Sequence, residues 1–323
     1  MFNTRSMTKL ILRRLLETIP VLILLATMAF FMMRAAPGTP FDKEREVATH
    51  IREAYEKQYG LDQPLIVQYG QFMGIAPRPN GEVRGLLQGD LGASTTYTGW
   101  DVDELMAQKI PISLELGLYS LLIAIIIGVS AGVLAAWRPH TLTDHLPMSL
   151  AMLGICLPTF VIGPLLLLYF ALDLQWFNVS GWEFAGDRVL PSLTLGLFYA
   201  AYLARLTRGS MLEVRNQDYM RTALAKGVSG WRVYGVHGLR NGILPIVSFL
   251  GPAAAGLISG SFVVETIFRI PGLGRFFVEA AINRDAMLVI GCALFYAVLL
   301  VMLNLLAEIL QAVMNPKLRL AIG

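Results

Sequence analysis

Charge is what this sequence has least of. Only 15% of its 323 residues are Asp, Glu, Lys or Arg, against about a quarter in a soluble globular domain. With 55% hydrophobic residues gathered into long runs, that shortage excludes a water-soluble fold and describes an all-α polytopic membrane protein. Cysteine is almost missing. Cys156 and Cys292 both lie inside apolar runs, which argues against a disulfide framework and leaves no metal-ligand spacing. The four histidines, His50, His140, His145 and His237, stand in loops without paired carboxylates, and no His-Glu-x-x-His occurs. No Gly-x-x-x-x-Gly-Lys-Ser/Thr loop occurs either, so this chain is not expected to hydrolyse ATP. The middle of every apolar run is free of Asp, Glu, Lys and Arg. Ion-driven carriers place such groups at depth, so their absence counts against a self-powered carrier. No nucleophile-and-base set marks a membrane enzyme. The net charge of +3 gives no reason to invoke nucleic acid.

What is present reads as six spans. Arg5, Lys9, Arg13 and Arg14 precede an apolar run from Ile19 to Met33. A secretory signal is the competing reading, but Pro37 sits where a cleavage site would fall. An uncleaved first span over about 10–33 is expected, within an N-terminal region 1–34. Residues 35–112 form the one long polar stretch and are assigned outside the membrane. Lys43 to Tyr59 reads as a charged helix ending at Gly60, Pro64 to Met73 as an amphipathic piece, Pro77 to Gly81 as a turn, and Asp101 to Ile110 as a short helix stopped by Pro111. The core, 113–314, holds spans near 113–137, 147–172, 189–205, 243–264 and 287–314, and 315–323 is a tail. Gly128 and Gly132 offer a small-residue face for helix packing, and Pro158 and Pro164 free backbone carbonyls within the third span. Pro271-Gly272 is a turn signal, and Gly272 or Gly274 is expected to take positive φ. With both termini in the cytoplasm, the short flanks carry 14 basic residues inside and 4 outside, as the positive-inside tendency requires.

The segment between the fourth and fifth spans, 206–242, is basic and patterned. From Arg205 to Pro245 there are seven Arg or Lys against Glu213 and Asp218. Asp218 is placed to cap a helix whose Met220 and Leu224 share a face, with Gly227 closing it in a left-handed turn. Ser229 is placed to cap a second helix through Leu239, with Asn241-Gly242 as its stop. A loop that only fixes topology remains the alternative. The helix signals favour a docking surface.

Arg221-Thr222-Ala223-x-Ala225-Lys226-Gly227, followed by His237-x-Leu239-Arg240-Asn241 and Pro245, resembles the signature of peptide-type permeases, membrane subunits of ATP-binding-cassette importers. Where the wider family has Glu-Ala-Ala, this chain has Arg221, Thr222 and Ala223, as the peptide/nickel branch does, with Gly227 in register. Further phrases carry the resemblance along nearly the whole chain: Pro37-Gly38-Thr39-Pro40, Tyr59 to Pro64, Gly89-Asp90-Leu91-Gly92-x-Ser94, and Val264 to Gly274 with Asn283-Arg284-Asp285. Phe31 to Gly38 and Gly209 to Val214 look most like the oligopeptide branch. Dipeptide, nickel, glutathione and antimicrobial-peptide permeases share the scaffold. From a different class, a membrane enzyme or an independent channel is the alternative.

The resemblance implies a type I importer transmembrane domain in the bacterial inner membrane. It implies ATPase coupling through Tyr219, Met220, Arg221, Thr222, Ala223, Leu224, Ala225, Lys226, Gly227 and Gly230. Met220, Ala223 and Leu224 are expected to supply most of the docking energy. It also implies an outer pore-mouth region at Glu265, Pro271, Gly272 and Gly274. No cofactor is expected in this chain, with ATP and Mg held by partners. Those partners are a second homologous permease, two cytoplasmic ATPases, an extracytoplasmic solute-binding protein and the peptide itself.

Overall fold

The computed structural model describes residues 4–35 and 49–314. The Pro37 to Pro40 phrase, the start of the helix expected from Lys43, and the tail from Asn315 lie outside the described residues. Among those described, five helices are long and apolar enough to cross a membrane, and six if one bent pair counts as a single span. The chain divides into two compact units, one built from 112–275 with both chain ends, the other from 19–111 with 276–297.

In the second unit, α1 (Thr4–Ala35) contributes its later turns, followed by α2 (Thr49–Gln58) and α3 (Leu65–Met73). Pro64 precedes α3, where a missing N–H costs nothing, and Gly74 ends it at φ 79°. Phe30 stacks on Phe72 with ring centroids 5.2 Å apart. Ala26, Phe30, Phe72, Met73, Ile290 and Leu294 form the core of this unit. Its loop 89–101 is pinned by Asp285, whose buried carboxyl accepts from Ser94 Oγ, from Thr96 N–H at 3.1 Å and from Leu288 N–H at 3.2 Å.

The expectation of a short helix stopped at Pro111 is overturned. α4 (Val102–Trp137) runs 36 residues straight through it. Pro111 is exposed, and within the helix it removes the hydrogen bond to the Ala107 carbonyl. In the first unit α4 packs on α7 (Val189–Arg215). A Cβ on Gly128 would lie 2.6 Å from the Ala200 carbonyl oxygen, and one on Gly132 would lie 2.4 Å from Thr207 Cβ. The small-residue face is thus a helix contact in fact.

The third span is not one continuous helix. α5 (Leu142–Cys156) and α6 (Thr159–Leu166), the latter continued by a π-helical stretch to Asp173, meet at 106°. Pro158 disfavours helical backbone at the residue before it, and Leu157 is extended at φ −90°, ψ 118°. The fourth span also differs from expectation. α7 does not end at Arg205 but continues ten residues into the basic segment, which contains no proline to stop it. After it come α8 (Asp218–Ala225), α9 (Gly230–Arg232), a π turn Val233–Gly238, α10 (Leu239–Gly242), α11 (Leu244–Ser259), α12 (Phe262–Ile267), α13 (Leu273–Asn283) and α14 (Ala286–Met314).

Candidate functional site

The basic segment folds as its pattern requires, with changes at the caps. α8 begins one residue earlier than a cap at Asp218 would give. Gln217 holds the capping position without a side-chain hydrogen bond, and Asp218 sits in the first turn, where an acid faces the positive end of the helix dipole. Gly227 takes φ 76°; its N–H donates to the Leu224 carbonyl and that of Val228 to the Ala223 carbonyl, closing the helix in the left-handed manner. The second helix starts after Ser229, widens into the π turn and runs through Leu239 to Gly242, at the stop expected of Asn241-Gly242.

Met220 and Leu224 do not act together. Met220 is 1% exposed and packs with Val133 and Ala136 of α4, Met211 of α7, and Val233 and Tyr234 of the π turn. It is the plug that seats α8 on α4 and α7, worth about 2 kcal/mol of apolar burial, and it is not available to a partner. Ala223 is half-buried against the same cluster, and Gly230 lies against Trp137, where a Cβ would stand 3.3 Å from the indole nitrogen. What remains outward is Leu224, 46% exposed, with Tyr219, Arg221, Thr222, Ala225, Lys226 and Gly227 around it. The outward face is therefore mixed: one leucine and one tyrosine flanked by two cations.

Two side-chain ties fix the base of this segment, a two-point ion pair and a serine hydrogen bond, and sequence reasoning missed both. Arg208 donates from Nε to Asp144 Oδ1 at 2.6 Å and from Nη2 to Oδ2 at 2.8 Å. Asp144 is 1% exposed and also accepts from the His140 N–H at 2.9 Å. Planar two-point pairs of this kind fix orientation as well as distance, so the start of α5 and the end of α7 are tied. Ser210 Oγ donates to the Gly242 carbonyl at 2.6 Å, tying α7 to the end of α10. The only sequence signal was an acid in the first turn of a helix, which alone does not name its partner.

In α12, just ahead of the turn that follows it, Glu265 is fully buried. Its carboxyl accepts from Ser113 Oγ at 2.7 Å, Ser261 Oγ at 2.7 Å and the Arg275 N–H at 2.9 Å. Ser113 Oγ in turn accepts from the Leu273 N–H at 2.8 Å. The expectation that Gly272 or Gly274 takes positive φ fails; the left-handed residue here is Arg269, at 52°. The glycines are needed for space. A Cβ on Gly272 would stand 2.5 Å from Glu265 Oε2, and one on Gly274 would stand 2.8 Å from Phe262 Cα. Glu265, Gly272 and Gly274 come together in one node, while Pro271 is exposed outside it.

Among the described residues no group of His, Cys, Asp and Glu is arranged to hold a metal ion. Residues 128–320 match the family described as binding-protein-dependent transport system inner membrane component, and residues 7–116 match the N-terminal part of such membrane components. The chain belongs to this family. As one of these inner-membrane components it is 42% identical over 315 residues to the oligopeptide transport system permease protein OppB of Salmonella typhimurium, covering 97% of this chain and 100% of that protein. It is 41% identical over 315 residues, with the same coverage, to OppB of Escherichia coli K12. It is 35% identical over 314 residues to the dipeptide transport system permease protein DppB of Bacillus subtilis, covering 97% and 99%. Its fold matches an inward-facing structure of the MetNI methionine ABC transporter with a TM-score of 0.54 at 14% identity, over 65% of this chain and 96% of that one. That likeness speaks to the fold alone: a type I ABC-importer transmembrane domain.

Proposed function

We propose that this inner-membrane component is a permease subunit of an ATP-binding-cassette importer for peptides, oligopeptides first among them. It forms half of a translocation path with a second homologous permease. Two cytoplasmic ATPases bind ATP and Mg and supply the work, and an extracytoplasmic solute-binding protein delivers the peptide. Both termini and the segment 206–242 face the cytoplasm. This chain carries no catalytic residue.

The observation that carries this reading is the division of α8. Met220 locks the helix to α4 and α7, while Leu224, Tyr219, Arg221 and Lys226 stay outward. A helix clamped to two spans and open on its far side transmits a push from outside into those spans, which is what coupling to an external motor requires. The Asp144–Arg208 pair and the Ser210–Gly242 bond stiffen the same lever, so motion at α8 reaches α5, α7 and α11 as displacement rather than as local melting. Alternating access is then a two-state change biased by a distant ligand. The higher identity to OppB than to DppB supports putting oligopeptides ahead of dipeptides in this reading.

The test is reconstitution. Tagged chain purified from membranes should bring a second permease and the ATPases with it. In vesicles that complex, with its binding protein, should accumulate trialanine only when ATP is supplied. Uphill accumulation by this chain alone, or an isolated chain that carries no partners, overturns the reading.

A further inference from the structure

The first compact unit carries an apolar groove that the coupling scheme does not use. It measures about 320 Å³ and lies between α4 and the π turn. Val129, Val133 and Trp137, about one turn apart, form one wall; Trp231, Gly235 and Leu239 form the other. No charged side chain lines it. From Val129 to Trp137 it follows about 12 Å of helix, close to the roughly 15 Å depth of one leaflet of a bilayer. The groove is open because residue 235 is glycine. The nearest atoms to a Cβ there belong to the Trp231 ring, at 3.7 Å, and Gly235 does not take positive φ. A larger side chain is therefore admissible at that position and would occupy the space.

Three observations bear on what covers it. First, the groove continues an exposed apolar stripe on α4, Leu118, Leu122, Ile126 and Leu134, interrupted only by Ser130. On a membrane span such a stripe faces acyl chains or another span. Second, its walls carry Trp137, Tyr234 and Trp231, the last 66% exposed, residue types that gather where a bilayer meets water. Third, one end is cationic. The Arg138 guanidinium carbon, just past the end of α4, stands 5.4 Å from the centre of the Trp137 ring. Among the described residues no carboxylate pairs with it, and Asp144 on the next helix is held by Arg208. Arg232, beside Trp231, is exposed. An apolar trough with unpaired cations at one end fits a molecule that is apolar along its length and anionic at its tip.

We infer that this groove holds one acyl chain of an anionic phospholipid, with the phosphate at Arg138. That the cationic end lies at the cytoplasmic surface rests on the permease reading, which puts 206–242 there. The lipid joins α4 to the π turn, the two elements that also enclose Met220, so the site adjoins the base of the coupling lever.

The experiment is photolabelling of the full-length chain, alone and in the complete complex, in phosphatidylcholine vesicles. These hold a trace of phosphatidylglycerol, or of phosphatidylcholine, bearing a photoactivatable group midway along one acyl chain. Labelled residues are mapped by mass spectrometry. Label should fall on 129–137 and 231–239, with a yield at least threefold higher from the phosphatidylglycerol. Arg138→Gln should bring the two yields together, and Gly235→Leu should abolish labelling of these segments. The comparison of lipids uses the unmodified chain, so it stands even if a variant folds poorly. No label on these segments, equal yields in the parent, an undiminished preference in Arg138→Gln, or parental labelling of a folded Gly235→Leu chain overturns the inference. So does labelling of the chain alone that vanishes in the complete complex, because a second permease then covers the groove. ATP-driven trialanine uptake is measured in the same vesicles. Uptake without labelling removes the lipid site and leaves the permease; labelling with no uptake of any peptide removes the permease reading and leaves the lipid in its groove.

Discussion

Two short stretches of the first unit, Glu265 to Arg275 and Asp218 to Gly230, draw on similar residues: an acid, two basic residues, small glycines and a few apolar side chains. Around Glu265 the polar groups close on one another. The carboxyl takes three hydrogen bonds in a fully buried setting, and the glycines are there because nothing larger fits. Around Asp218 only Met220 is buried, and the charged groups face outward. The first stretch is complete within the fold. The second is half of a contact. Substitutions should therefore cost stability at the first and transmission at the second.

The largest stability effect is expected from Glu265→Ala. It leaves the buried Ser113 hydroxyl and the Arg275 N–H without their acceptor and opens a cavity, while Ser261 Oγ keeps the Ile258 carbonyl at 2.7 Å, costing on the order of 3 kcal/mol. Thermal unfolding of the purified protein would show a markedly lower Tm, with Glu265→Gln losing less. A parental Tm in the alanine variant would erase the contrast. Next is Gly272→Ala, whose new methyl would sit against Glu265 Oε2 and should cost about 2 kcal/mol by overpacking. The same change at Gly227 meets open space but a positive φ, so it should cost about 1 kcal/mol through strain alone.

A smaller effect is expected in the second unit, from pH. Burial by itself raises the Asp90 carboxyl, but hydrogen bonds from Arg78 and the Gly92 N–H outweigh it and hold the group below the usual carboxylate range. A depressed folded-state pKa contributes stability that is present above the unfolded value and lost as pH falls through the folded one. Below about pH 4, the parent should lose Tm more steeply than Asp90→Asn. Near neutrality, that partly exposed pair should be worth about 1 kcal/mol. Parallel curves for the two proteins would show that the pair contributes nothing.

The smallest stability effect belongs to Leu224. An exposed surface substitution there should move stability by about 0.5 kcal/mol or less, although its effect on transmission should be large.

Much of this architecture is legible in the chain because it is local. Apolar run length gives the spans, Pro64 and Gly74 bracket α3, and Gly227 marks the end of α8 through a conformation glycine adopts readily. What is not legible depends on distant partners. Pro111 reads as a stop, yet the helix runs through it with the proline exposed. Met220 and Leu224 share a helical face by spacing, but the position of α4 and α7 decides that one is inside and the other out. Gly272 looks like a turn glycine, and only the buried carboxyl beside it shows that space is the requirement. Asp144 and Arg208 are 64 positions apart, beyond any periodicity. In the candidate coupling site the residue range was readable, while the direction each side chain faces was not.

The central claim is that the outward face of α8 delivers an external motor's push to spans clamped beneath it. Leu224→Asp in the reconstituted complex tests this most directly, with ATP hydrolysis, ATP-driven trialanine uptake and Tm measured on the same preparation. The account predicts an unchanged Tm with uptake reduced at least tenfold per ATP hydrolysed. Uptake per ATP equal to that of the parent, in a variant of unchanged Tm, would contradict it.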